Sequence, residues 1–166
     1  MITLKDALAF LHEHPEVVFA TSEGDLPRIR IFQIMKQEET LLYFATSREK
    51  AVYRELKKNS CVEVLAHAAG TQVRCSGNVN FMVKEDVKRW IYDHNPVLPR
   101  LYSSYGQLEY FCLPIAELDY YDLNPTPPVF KHFDLMTGEE SDGFVGERFK
   151  AAANREEQHL IRSVKK

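Results

Sequence analysis

The sequence predicts a mainly β fold, with six or seven antiparallel strands closing into a barrel and helices at the ends and between hairpins. Three observations carry this. Short runs rich in β-branched and aromatic residues recur along the chain, as in VVFAT at 17–21, LYFAT at 42–46 and CVEVLA at 61–66. Turn chemistry separates them, at Glu23-Gly24-Asp25, at 36–39 and at Ala68-Ala69-Gly70. Helical spacing of apolar residues is confined to a few stretches. Short strands divided by turns favour a barrel, because closure removes unpaired edges.

The elements follow in order. Residues 3–14 read as an amphipathic helix with Thr3 as N-cap, an apolar stripe of Leu4, Ala7, Leu8 and Leu11, and Pro15 as its stop. The strand at 17–21 turns through Gly24 into the strand LPRIRIFQ at 26–33. A polar turn at 36–39 leads to a third strand, 40–46, so that the first three form a meander. Thr46-Ser47 is a good N-cap pair for a helix over 47–59, with Ala51, Val52, Tyr53 and Leu56 inward and Glu49, Arg54, Glu55, Lys57 and Lys58 wet. A fourth strand, 61–66, precedes the longest strand-like run, 71–83, where Gly77 suggests a bulge or a close backbone approach. A short helix follows at 84–94, with Val87, Trp90 and Ile91 at core spacing, then a tyrosine-rich loop at 100–106. Strands at 108–113 and 115–123 complete the set, separated by Pro114.

After Asn124 the texture changes, and the chain divides into a domain at 1–123 and a C-terminal extension at 124–166. Pro125, Pro127 and Pro128 interrupt regular structure; a short strand fits 129–135 and a charged helix 147–164.

At 166 residues the chain buries enough surface to fold without staples. A net charge of −3 excludes a general affinity for nucleic acid or anionic membrane, so any anion site is local. Cys61, Cys75 and Cys112 lie far apart in apolar runs, as expected of reduced, buried thiols in a cytoplasmic protein. Met1 leads directly into a polar helix, with no signal peptide, and no apolar run reaches the roughly 18 residues of a membrane span. The six histidines show no metal-ligand spacing, so no metal site is expected. The tyrosines at 102, 105, 110, 120 and 121 fit packing or an interface better than catalysis. Arg74 is placed equally well against Glu63 on the neighbouring strand or against a ligand.

The stretch at 26–58 carries the chemistry. Strand alternation puts Arg28, Arg30 and Phe32 on one face and Ile29, Ile31 and Gln33 on the other. Two such arginines repel unless an anion or solvent lies between them. A helix starting after Thr46 would hold Arg48 and Lys50 in its first turn, against the positive end of the dipole, which disfavours each by roughly 0.3–1 kcal/mol. A phosphate at that N-terminus would relieve both faults. Solvated arginines on a surface hairpin beside an ordinary capped helix fit the same residues.

Four pieces, in order and with matching spacing, resemble the FMN-binding split-barrel family of pyridoxamine 5′-phosphate oxidase: Pro27-Arg28-Ile29-Arg30-Ile31-Phe32; Leu42-Tyr43-Phe44-Ala45-Thr46; the Lys50 helix start with Leu56, Asn59 and Val62; and Gln72-Val73-Arg74-Cys75-Ser76-Gly77. The resemblance implies a six-stranded antiparallel split β-barrel of Greek-key type with peripheral helices. It also implies a homodimer holding FMN in the clefts between subunits. Its phosphate-side candidates are Arg28, Arg30, Thr46, Ser47 and Lys50. Phe32 and Ala45 would line the isoalloxazine, and Gln72 would make a polar contact to it. Where the oxidase proper has an adjacent Arg-Lys pair at the helix start, this chain has Glu49-Lys50. Gln33–Met35 stands where the oxidase has a substrate-phosphate lysine, and the oxidase's arginine-rich C-terminal segment has no counterpart here. The substrate implied is therefore a small molecule other than pyridoxamine phosphate. No side chain stands out as a catalytic acid or base. The function expected is an FMN-dependent oxidoreductase. The alternatives are a flavin- or heme-binding sensor or carrier without turnover, and a cofactor-free phosphate-binding or structural barrel.

Overall fold

The computed structural model describes residues 1–142, so the helix expected at 147–164 lies outside the described residues. The chain is mainly β and wholly antiparallel, as predicted, with its strands in two sheets rather than one continuous meander. In chain order the elements are α1 (Leu4–Glu13), β1 (Glu16–Glu23), β2 (Leu26–Gln33), β3 (Lys36–Glu38), β4 (Leu41–Thr46), α2 (Ala51–Lys58), β5 (Cys61–Ala68), β6 (Thr71–Asn78), α3 (Glu85–His94), α4 (Val97–Leu101), β7 (Glu109–Pro114), β8 (Glu117–Asp122), β9 (Val129–Asp134) and β10 (Glu139–Asp142). One sheet runs β10-β9-β8-β6-β5-β1-β2, and the other β3-β4-β7. β2 is therefore an edge strand, and β4 belongs to the opposite sheet. The polar segment 36–39 is not only a turn: Lys36–Glu38 forms β3, and the chain reverses at Glu39, whose φ is 52°.

Period-two alternation explains the layers. In β4, Leu42 and Phe44 face the large core between the sheets, while Tyr43 and Ala45 face a second cluster under α3 and α4. In β7, Phe111 and Leu113 take the first side and Tyr110 and Cys112 the second. Both strands are thus buried on both faces, which accounts for their unbroken apolar runs. The centre of the large core is aromatic: Phe19 meets Phe32 and Phe44 edge-on at 5.0 and 5.1 Å, and Phe44 stacks on Phe111 at 5.4 Å.

The sheets meet at corners. Asn80 and Cys112 exchange backbone hydrogen bonds of 2.8 and 2.9 Å, and the Ala116 amide donates to Ser76 O at 2.9 Å. Gly77 sits at this corner. A Cβ there would lie 2.6 Å from the Pro114 carbonyl oxygen, so the close approach expected at this glycine is present. α1 begins on a complete capping box, with Thr3 accepting from the Asp6 amide and Asp6 accepting from the Thr3 amide at 2.8 Å.

Packing bears on the remaining expectations, and the short strand expected at 129–135 is β9. β9 and β10 continue the main sheet beyond Asn124, and Phe133 of β9 is 2% exposed in the large core. Trp90 is partly exposed rather than core, with His94 stacked on it at 4.1 Å and the Lys36 ammonium 4.2 Å from its centroid. Cys61 is exposed, whereas Cys75 and Cys112 are buried; all three are free thiols. Arg74 pairs with Glu63 at 2.9 Å and Asp119 at 3.3 Å.

Candidate functional site

α2 starts at Ala51, four residues later than its capping pair suggested. Lys50, in extended conformation, is the N-cap, and no side chain caps the helix. Residues 47–50 form a turn closed by the Lys50 amide on Ser47 O at 3.2 Å. Arg48 therefore lies outside the first helical turn, and its guanidinium is taken by Glu109 on β7. The expected clash with the helix dipole therefore falls away for Arg48, while Lys50, as N-cap, still sits at the positive end of α2.

Arg28 and Arg30 share a face of β2 but have different surroundings. Arg28 Nε donates to Glu23 at 2.8 Å, with both side chains about half exposed. Arg30 turns inward under α2. Its Nη2 donates to Glu55 Oε2 at 2.6 Å, and its Nη1 donates to Thr21 Oγ1 at 2.7 Å and to Phe19 O at 3.3 Å. Thr21 Oγ1 donates in turn to Glu55 Oε2 at 2.6 Å. Glu55 was expected to be wet, yet its side chain is 5% exposed. The signal was available: positions 52, 55 and 56 share one helical face with the apolar stripe.

This network occupies the Nη1–Nη2 end of the guanidinium. The opposite edge, Nε–H with the outer N–H of Nη2, has no partner among the described residues. It is a preformed two-donor fork of the kind that binds an oxyanion.

Beside it is a cavity of about 490 Å³ whose wall includes Arg30, Phe32, Ala45, Thr46 and Lys50. Five of the eight residues named from the sequence thus come together; Arg28, Ser47 and Gln72 are not part of this wall. Gln72 lies in β6, opposite His67 and Tyr121 in register. Lys50 is exposed and makes no ion pair among the described residues. Thr46 Oγ1 is buried without a hydrogen-bond partner among the described residues, an omission that normally costs about 1–3 kcal/mol. Arg30, Thr46 and Lys50 therefore border one space. The far wall, Val97, Leu98, Leu101, Tyr102 and Leu108, comes from α4 and the segment leading into β7; none of these five was among the candidate site residues. α4 is held by the buried Leu98 and by Tyr92 Oη donating to Tyr102 O at 2.5 Å.

Among the described residues no group of histidine, cysteine and carboxylate side chains is arranged to hold a metal ion. No helix there is long and apolar enough to cross a membrane.

No curated protein is detectably similar to the chain in sequence. Several solved structures share its fold. A NimC/NimA family protein from Clostridium acetobutylicum superposes with a TM-score of 0.65 at 26% identity, covering 76% of this chain and 91% of the other. A pyridoxamine 5′-phosphate oxidase-related, FMN-binding protein from Nostoc punctiforme gives 0.61 at 14% identity, covering 86% and 96%. A heme-binding protein from Mycobacterium smegmatis gives 0.63 at 13%, covering 81% of this chain and 59% of the other. The family model of pyridoxamine 5′-phosphate oxidase matches residues 4–101. That match spans more than half of the chain, on the same strands that build the cavity, and the chain belongs to the pyridoxamine 5′-phosphate oxidase family.

Proposed function

We propose that the protein is a cytoplasmic homodimeric flavoprotein that binds FMN and passes electrons between a reduced donor, such as a nicotinamide, and a small acceptor. The observation that carries this reading is the meeting of two cations and a threonine on one cavity wall: Arg30, whose Nε makes no hydrogen bond among the described residues, Lys50, which makes no ion pair among them, and Thr46. A phosphate monoester suits such a wall, since it offers several acceptor oxygens and a negative charge to the two cations. Phe32 and Ala45 then supply wall beside the ring, and Ser47, Arg28 and Gln72 are left to the rim or to the partner subunit.

FMN would supply the electron-transfer chemistry; the protein supplies binding, orientation and exclusion of water. The dimer is supported by β2. Ile29 and Ile31 are 72% and 58% exposed on its outer face, and among the described residues the strand is an unpaired sheet edge. An apolar, open edge of that kind is ordinarily covered.

The test is the visible spectrum of the purified protein before and after incubation with FMN and gel filtration, with its mass by light scattering. The expected result is a retained flavin spectrum at one FMN per chain in a dimer. A Soret band would favour the heme-binding alternative. A colourless monomer that releases all added FMN would overturn the proposal.

A further inference from the structure

We infer that a second cavity, between α1, β3 and α3, binds a small organic carboxylate with a compact aliphatic body. This cavity has a volume of about 360 Å³, which is the size of a small-ligand site. Met35 is the one wall residue it shares with the cavity given to FMN.

Hydrogen bonds tie its walls together. The Ile34 amide donates to Pro15 O at 2.7 Å, Gln37 Nε2 to Leu8 O at 3.0 Å, and Asn95 Nδ2, at the end of α3, to Met35 O at 3.2 Å. The space is therefore preformed, and a ligand does not bear the cost of ordering it.

The wall sets the chemistry. Leu11, Pro15, Ile34 and Met35 give it an aliphatic surface. The polar groups facing that surface are donors. Lys36 has one ion-pair partner among the described residues, Glu38 at 2.9 Å, and an ammonium carries three N–H donors, so a second carboxylate can share it. His12 adds a ring nitrogen, and the indole N–H of Trp90 makes no hydrogen bond among the described residues. Gln37 contributes no acceptor, because its Oε1 is buried. No carboxylate lines the cavity; Glu13, Glu16, Glu38, Asp86 and Asp93 on the neighbouring segments are exposed and lie off its wall. An anionic head thus meets a cation and neutral donors, whereas a cationic head would meet Lys36 with no counter-charge on the wall. The indole is already stacked by His94 at 4.1 Å and capped by the Lys36 ammonium at 4.2 Å, so the body of the ligand rests on the aliphatic side.

Trp90 is the single tryptophan of the chain, and its emission reports this cavity directly. The experiment titrates the full-length protein in low salt with cyclohexanecarboxylate, cyclohexanecarboxamide and cyclohexylammonium, three probes with one body and different heads. The carboxylate is expected to give a saturable change in emission and to bind at least about tenfold more tightly than the other two. In Lys36→Gln its affinity should fall to that of the amide. In Glu38→Gln, which removes the competing carboxylate but leaves the wall intact, its affinity should rise. Thermal unfolding checks that both variants fold. Equal binding of carboxylate and amide, no saturable change with any probe, a preference that survives in Lys36→Gln, or an unchanged affinity in Glu38→Gln overturns the inference. None of these outcomes bears on FMN binding, which uses other residues.

Discussion

The guanidinium of Arg30 is held at one end and open at the other, and Glu55 does the holding. The carboxylate is nearly dry and accepts from both Arg30 and Thr21. A buried pair of this kind contributes little net stability, but removal of one partner leaves a charge uncompensated, at about 3–5 kcal/mol. Its value here is placement: without Glu55 the arginine is free to swing to solvent. Glu55→Ala should therefore weaken FMN binding to the level of Arg30→Ala, and the double variant should bind no more weakly than either single one. Glu55→Gln keeps an acceptor and should retain most of the affinity. Fluorescence titration of the four variants checks this, with thermal unfolding as a control for folding. Independent, additive losses would show that Glu55 acts other than through Arg30. At this scale the sequence was partly legible. Strand alternation identified Arg30 and Phe32, but nothing local distinguishes Arg30 from Arg28, because their difference comes from a carboxylate 25 residues downstream.

At the scale of elements, strands were easier to read than their partners. The boundaries of β1, β2, β4 and β5 follow from β-branched runs and turn residues. The assignment of β4 to the second sheet does not, since both faces of that strand are apolar and the covering helices α3 and α4 lie about fifty residues away. α2 starts late because the chain uses residues 47–50 for a turn that returns it over β1, although Ser47 has the right side chain for a cap. α4 has no counterpart among the expected elements, because the five residues between Pro96 and Tyr102 carry no helical period. Gly77 is the element-level feature most open to test. Its missing side chain allows the β6–β7 corner to close against the Pro114 carbonyl, which is backbone and cannot rotate away. Gly77→Ala should cost about 1–3 kcal/mol in denaturant unfolding, through displacement of that corner. An unchanged midpoint would mean that the corner yields easily.

At the scale of the molecule, the described residues form a large aromatic core between two sheets with a second cluster beneath α3 and α4, and both carry buried acids. Burial is the first cause that raises the Tyr43 hydroxyl to about 12 and the Cys112 thiol to about 11, and it also raises Tyr110, Tyr120 and Cys75. Groups raised in the folded state retain protons that the unfolded chain has lost. Their contribution to stability is complete below the ordinary values of 10.0 for tyrosine and 9.0 for cysteine, and fades as pH climbs through the folded values. Each group removes about 1.4 kcal/mol per pH unit across its window. The thermal midpoint should therefore hold between neutral pH and about 9 and fall steeply above 10. A midpoint constant up to pH 11 would contradict the burial of these groups.

The central claim is that Arg30 and Lys50 hold the phosphate of a flavin, and the comparison of FMN with riboflavin isolates that phosphate. Fluorescence quenching on titration with each ligand gives the two dissociation constants. The wild type should favour FMN by tenfold or more, because each charge-assisted bond to phosphate is worth roughly 1.5–3 kcal/mol. In Arg30→Ala/Lys50→Ala the two ligands should bind alike. Equal binding of FMN and riboflavin to the wild type, or a preference that survives in the double variant, would contradict the account.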